Sequence, residues 1–116
     1  WLLEGFADYV ALAYVDLPVE TTASQILGQV RRDGPPKQLP SEADFESENR
    51  HLGASYEAAW LAARLIAEEY GERRLIEFYE QADRDGGTDA AFRDVLGTTQ
   101  RELTAAWRDE LRELAG

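Results

Sequence analysis

The sequence predicts an all-α fold, and three observations support that prediction. Apolar residues recur at helical spacing over most of the chain, and no stretch alternates apolar and polar residues with a period of two. Glycine, proline and short polar clusters interrupt the periodic segments at helix-length intervals. The length of 116 residues and the hydrophobic share of 44% suit a domain with a sizeable core. We therefore expect residues 1–116 to form a single helical domain.

The first predicted helix runs from Trp1 to about Asp16, because the residue before Pro18 resists helical dihedral angles. Apolar residues lie nearly all round this helix, and Glu4, Asp8 and Asp16 are its charged members. A helix that is apolar on all sides is normally buried. Since a buried carboxylate is costly without a partner, we expect another group to lie against Glu4 and Asp8, which share one side of the helix.

Capping and stop signals predict the helices that follow. Serine, threonine and aspartate favour helix starts, and glycine favours helix ends. We first predict a short helix capped by Thr21 or Thr22 and stopped by Gly34, and then a turn opened by the capping box Ser41–Asp44. A long helix should follow from about Asn49 to Tyr70, and another from Glu72 to about Ala82, with a break over residues 83–87. The chain should end with a short helix capped by Thr88 and stopped by Gly97, and a last helix started by Thr98 or Thr99.

Composition excludes several classes of function. The net charge of −11 argues against nucleic acid or an anionic membrane as a partner. The chain has no cysteine, which excludes disulfides, cysteine–zinc sites and thiol catalysis. No apolar run has the length that spans a membrane. We therefore expect no nucleic-acid partner and no membrane-spanning segment.

The first nine residues, Trp1-Leu2-Leu3-Glu4-Gly5-Phe6-Ala7-Asp8-Tyr9, carry a family resemblance. They resemble the W-L-x-E-G-x-A-x-Y segment of gluzincin-type zinc metallopeptidases, above all the bacterial peptidase-MA-like domains, which are distantly related to the M1 aminopeptidases. In that family this glutamate is the third zinc ligand, and an upstream H-E-x-x-H helix supplies two histidines. No H-E-x-x-H occurs in this chain. The resemblance thus implies that the chain is the part C-terminal to that helix.

The resemblance implies roles for two carboxylates. Glu4 would be a zinc ligand, since catalytic zinc often has two histidines and one glutamate. The alternative is a carboxylate favoured by the positive end of a helix. Asp8 would accept a hydrogen bond from a zinc-bound histidine and so orient its ring. The alternative for Asp8 is an aspartate that faces solvent.

The segment from Tyr56 to Ile66 resembles the Y-x-x-x-x-x-x-x-R-x-[LI] helix downstream of the ligand glutamate in M1-like enzymes. There the tyrosine hydroxyl stabilises the tetrahedral intermediate, as oxyanion donors do. The family's K-G-A after that tyrosine is replaced here by residues 58–60. The alternative for Tyr56 is a core residue with its hydroxyl at a wet edge. A catalytic Tyr56 should approach Glu4, with the alanines of its helix packed across the first helix.

The resemblance implies peptide-bond hydrolysis by zinc-activated water, with a peptide or protein as substrate and Zn²⁺ as cofactor. Proteins with such domains are often secreted or membrane-anchored. The rival interpretation is a non-catalytic helical interaction or scaffold module from the same family. His51, the chain's single histidine, is expected to be an ordinary residue at a helix start.

For these 116 residues alone we expect no tight zinc binding and no peptide hydrolysis, because the implied histidine ligands lie outside them. Without the upstream helix, we also expect exposed apolar surface around Trp1, Ala11 and Val15. Such a surface would self-associate or receive the missing N-terminal part.

Overall fold

A computed structural model of the chain describes residues 1–84 and 87–116, except for the side chain of Arg84. Within these ranges the fold is all-α, as predicted, and no strand occurs. The elements in chain order are α1 (Leu2–Ala11), α2 (Val19–Thr22), α3 (Ser24–Asp33), a 3₁₀ turn (Glu42–Phe45), α4 (Leu52–Tyr70), α5 (Glu72–Arg84), α6 (Thr88–Ala91), a π-helical turn (Phe92–Leu96) and α7 (Gln100–Ala115).

The central helix is α4, and α1, α3, α5 and α7 all pack against it. Its middle is buried on every side, because residues 58–63 are buried without interruption. Most of these residues are alanines, whose small side chains let neighbouring helices approach closely. In the part of the chain that the structure describes, no helix is both long enough and apolar enough to cross a membrane.

One side of α1 is open to solvent, and the expected exposure around Ala11 and Val15 is confirmed, because both residues are exposed. Leu3 is 62% exposed and Val10 is 57% exposed, while Leu2 and Gly5 are buried. Helical periodicity shows that a helix is apolar all round. It does not show which of two such helices the others will surround, and here that helix is α4.

The first helix also ends earlier than predicted, at Ala11 and not near Asp16. Residues 13–17 leave the helix and are exposed. Tertiary packing supplies most of a helix's stability, and these residues have little of it within the chain. Trp1 differs from expectation in the opposite sense. It is half-buried, with its ring 6.4 Å from those of Phe78 and Phe92.

A close approach between helices joins α1 to α4. A Cβ atom placed on Gly5 would lie 2.3 Å from the carbonyl oxygen of Ala59, so a side chain there would collide with the backbone of α4. Glycine therefore allows the contact. The expectation that the helix carrying Tyr56 packs across the first helix is met in this respect.

Several predicted caps are confirmed. Thr99 accepts a hydrogen bond from the backbone N–H of Glu102 at 3.1 Å, and the capping box of Ser41 and Asp44 is formed. Glycines with positive φ follow three helical segments at the predicted positions, with angles of 80° at Gly34, 96° at Gly71 and 66° at Gly97.

Other predicted boundaries shift by a few residues. α4 begins at Leu52 and not at Asn49, and α5 continues to Arg84. Thr88 is the first residue of α6, and Gly87 occupies the cap position. The predicted break over residues 83–87 includes residues 85 and 86, which lie outside the described residues.

The predicted caps at Thr21 and Thr22 are wrong, because both residues lie inside α2. The start of α3 is capped from another helix instead. The carboxylate of Glu57 accepts hydrogen bonds from the backbone N–H groups of Gln25 and Ile26, at 2.9 and 3.0 Å. Two of the free N–H groups at the start of α3 are thus satisfied by α4.

Candidate functional site

Glu4 lies in the first turn of α1 with its side chain 25% exposed. Its carboxylate Oε1 is 3.1 Å from the backbone nitrogen of Trp1. A negative charge in this turn is also favoured by the unpaired N–H groups at the helix start. These contacts are those of a carboxylate that stabilises the helix end, and the role of Glu4 as a zinc ligand stays a prediction.

Asp8 lies one turn after Glu4, which places both carboxylates on the same side of α1. Asp8 is half-buried, and this burial raises the pKa of its carboxyl group above the usual value. The ionised form is therefore less well solvated than a surface aspartate. A hydrogen-bond donor or cation brought to this side of α1 would relieve that cost.

Tyr56 lies in α4, one turn before the Ala59 backbone that contacts Gly5. Its ring packs edge-on against Phe45 of the 3₁₀ turn, with the ring centroids 5.1 Å apart, and the side chain remains exposed. The packing of α1 on α4 brings the helices that carry Glu4 and Tyr56 together. The catalytic role of the Tyr56 hydroxyl stays a prediction.

The described residues of this chain do not by themselves offer a set of side chains that fits a zinc ion. Among the described residues, no group of three or more histidine, aspartate and glutamate side chains is placed to hold a metal. Catalytic zinc takes three protein ligands and leaves one position for water. Glu4 can supply one oxygen ligand. His51 is exposed at the N-cap of α4, which agrees with the expectation of a residue at a helix start.

Arg64 is the arginine of the segment that resembles the M1-like helix, and the structure shows what it contacts. Its guanidinium lies 3.0 Å from Glu68 on α4 and 3.0 Å from Glu110 on α7. The pKa of Glu110 is raised, first by burial and then by the negative charge of Glu68, while Arg64 lowers it. Arg64 therefore links α4 to α7.

A cavity of about 440 Å³ lies at the C-terminal end of α1, and its lining does not include Glu4, Asp8 or Tyr56. Sequence analysis did not find it. The available signal is the run of mostly apolar residues in the 13–17 segment, which the sequence pattern places at the end of the first helix. Its lining comes from α1, the 13–17 segment, α2, α4 and the start of α5: Tyr9, Leu12, Ala13, Tyr14, Val15, Leu17, Val19, Thr22, Trp60, Arg64, Ala67, Glu68 and Glu72.

Comparison of the chain with known proteins finds no match. No protein-family model, no curated protein and no solved structure is significantly similar to it. The resemblance to gluzincin-type metallopeptidases therefore rests on the residues quoted for it.

Proposed function

We propose that this helical domain is the glutamate-bearing part of a zinc-dependent peptidase, in which Glu4 is one metal ligand and two histidines come from outside residues 1–116. The supporting observation is the side of α1 that carries Glu4 and Asp8. Ala7 and Ala11 lie on this side at helical spacing and are exposed. Small exposed side chains leave room for another segment to approach both carboxylates.

Within this proposal each residue has a distinct task. Glu4 supplies an oxygen ligand, and Asp8 accepts the ring N–H of an approaching histidine and so fixes its orientation. Tyr56, on the helix that packs against α1, donates a hydrogen bond to the oxygen on which negative charge develops. These roles follow from the resemblance, and the described geometry supplies the shared side of α1 and the packing of α1 on α4.

Metal analysis of the full-length natural protein tests the role of Glu4. Glu4→Gln keeps the size of the side chain and removes the negative charge that a zinc ligand needs. We expect the purified variant to lose most of its zinc. Glu20→Gln, at an exposed carboxylate on α2, is the matched control and should keep the zinc content of the wild type. An unchanged zinc content in Glu4→Gln would remove Glu4 from the site.

A second candidate function is a helical interaction module that holds no metal. The observation in its favour is the amount of exposed apolar surface, which includes Leu3, Val10 and a Tyr14 side chain that is 99% exposed. Large exposed apolar patches often mark protein-interaction sites. A natural protein that is folded, free of zinc and inactive on peptides would favour this second function.

A further inference from the structure

The cavity at the C-terminal end of α1 is lined by both polar and apolar groups, and several of its apolar side chains are left uncovered by the rest of the chain. We call it the α1–α4 pocket, defined by the lining residues given above. Tyr14, Val15 and Leu17 project from the segment after α1, and all three are exposed. Trp60, which is otherwise buried, lines the pocket from α4. Covering exposed apolar surface of this kind with another apolar group is favourable, because it removes that surface from water.

The volume of about 440 Å³ lies in the range of cavities that take a small molecule or a few side chains. The pocket is built from a non-helical segment on one side and from α4 on the other. Tyr14 lines it from the non-helical segment, and Trp60 lines it from α4. This shape suits the insertion of large apolar side chains from a partner.

The charged groups at the pocket are mainly acidic. Glu68 and Glu72 line it, and the positive charge of Arg64 is already shared between Glu68 and Glu110 at 3.0 Å each. The pKa of the Tyr9 hydroxyl is raised, first by burial and then by the negative charges of Glu72 and Glu68. The pocket thus offers negative charge beside exposed apolar side chains.

We propose that the α1–α4 pocket docks a basic peptide segment, with an apolar anchor against Tyr14 and Trp60 and a lysine or arginine beside Glu72. A second copy of the chain is a poor occupant, because each copy carries a net charge of −11. The inference is independent of the zinc proposal. It gives the second candidate function a site and a partner, and it concerns residues that do not include Glu4, Asp8 or Tyr56.

Fluorescence anisotropy with labelled synthetic peptides of about twelve residues tests the proposal directly. The probe is an amphipathic peptide of leucine and lysine. One comparison peptide has glutamate in place of every lysine, and the other has serine in place of every leucine. We expect saturable binding of the probe that weakens as salt is added, and binding of both comparison peptides that is weaker by about tenfold or more.

Substitutions at exposed residues locate the binding. The double variant Tyr14→Ser, Leu17→Ser removes two uncovered apolar side chains and should weaken probe binding by about tenfold or more. Glu72→Gln should weaken it by about threefold and reduce its salt dependence. The matched controls are Ile76→Ser and Glu77→Gln, which change an exposed apolar residue and an exposed carboxylate of α5 outside the pocket.

Four outcomes would overturn the proposal. The first is no saturable binding of the leucine–lysine peptide up to roughly 1 mM. The second is equally tight binding of its glutamate counterpart. The third is a double variant that binds as tightly as the wild type while its circular dichroism spectrum is unchanged. The fourth is a dimer in sedimentation experiments that the double variant abolishes, which would assign the pocket to a second copy.

Discussion

Gly5 is the residue on which the packing of α1 against α4 depends. An added Cβ would lie 2.3 Å from the carbonyl oxygen of Ala59 and 2.8 Å from its carbonyl carbon, both of which belong to the backbone. We expect Gly5→Ala to push α1 away from α4. The net loss of stability should be roughly 1–3 kcal/mol, in spite of the better helix propensity of alanine. Urea denaturation measures it.

The same substitution at Gly28 is the matched control. Gly28 also lies inside a helix, α3, but the nearest atom to an added Cβ is the Arg32 Nη1 at 3.5 Å, an ordinary contact distance. Gly28→Ala should therefore stabilise the chain by about 0.4–1 kcal/mol. Equal stability changes at Gly5 and Gly28 would show that the close helix contact does not limit residue 5.

Glu110 lies at the junction of α4 and α7, and only one of its two carboxylate oxygens has a hydrogen-bond partner among the described residues. Its Oε1 accepts a hydrogen bond from Arg64 at 3.0 Å, while its Oε2 is buried without a hydrogen-bond partner among the described residues. Burial and the charge of Glu68 raise its pKa above the ordinary value of 4.5, and the attraction of Arg64 opposes them. The folded chain therefore holds this proton more tightly than the unfolded chain.

This shift predicts the sign of a pH dependence. Between 4.5 and the raised pKa, the folded state binds more protons than the unfolded state, so Glu110 makes stability fall as pH rises. Glu110→Gln removes that contribution. We expect the stability difference, variant minus wild type, to increase between about pH 4 and about pH 7. Denaturation at several pH values measures it, with Glu77→Gln as the exposed control. A difference that does not change with pH would contradict the assignment.

At the scale of elements, α3 depends on a cap that belongs to another helix. Glu57 of α4 accepts two backbone N–H groups at the start of α3, and its Oε2 accepts a further hydrogen bond from the Gln25 side chain at 3.2 Å. A carboxylate beside a helix start also complements the partial positive charge there. This one side chain therefore fixes where α3 begins relative to α4.

Glu57→Ala should destabilise the chain by about 1–3 kcal/mol, because hydrogen bonds to a charged group are lost and two N–H groups lose their partner. Glu57→Gln should lose less folding stability, since its amide oxygen still accepts a hydrogen bond. Thermal or urea denaturation measures both variants, and Glu69→Ala, an exposed position of the same helix, is the control. If Glu57→Ala and Glu69→Ala cost the same, the cap contributes little to stability.

The positions of helices and their ends could be predicted where the signal is local. Thr99 caps the helix that it precedes, and Gly34, Gly71 and Gly97 end segments because they adopt positive φ. The cap of α3 could not be predicted in this way. Glu57 is separated by 31 and 32 residues from the groups it binds, and nothing near Ile26 in the sequence identifies the partner.

For the whole molecule, periodicity predicted the all-α class but not the arrangement of the helices. Two segments are apolar on most sides, and the structure makes α4 central while α1 keeps an exposed side. The α1–α4 pocket was missed for a related reason. Its walls combine residues as distant as Tyr9 and Glu72, and it exists because the chain leaves the helix after Ala11. That Glu4 and Asp8 share one side of α1 could be predicted, because they lie one helical turn apart in the sequence.

The zinc chemistry of the isolated 116-residue chain is the prediction that involves the whole molecule. Catalytic zinc needs three protein ligands and favours nitrogen among them. The single histidine, His51, is exposed at the start of α4, and no group of three potential ligands occurs among the described residues. We expect a folded helical protein without peptidase activity. Calorimetric titration should show no zinc binding with a sub-micromolar dissociation constant.

The Glu4→Gln variant of the same chain separates a real site from weak surface binding. Scattered carboxylates of a chain with net charge −11 bind divalent cations loosely, and this background should be the same in wild type and variant. Sub-micromolar binding that Glu4→Gln abolishes would mean that residues 1–116 complete the site without outside histidines. Chelator-sensitive cleavage of a protein substrate by the purified chain would also mean that no outside histidine is needed, because the chain has a single histidine of its own.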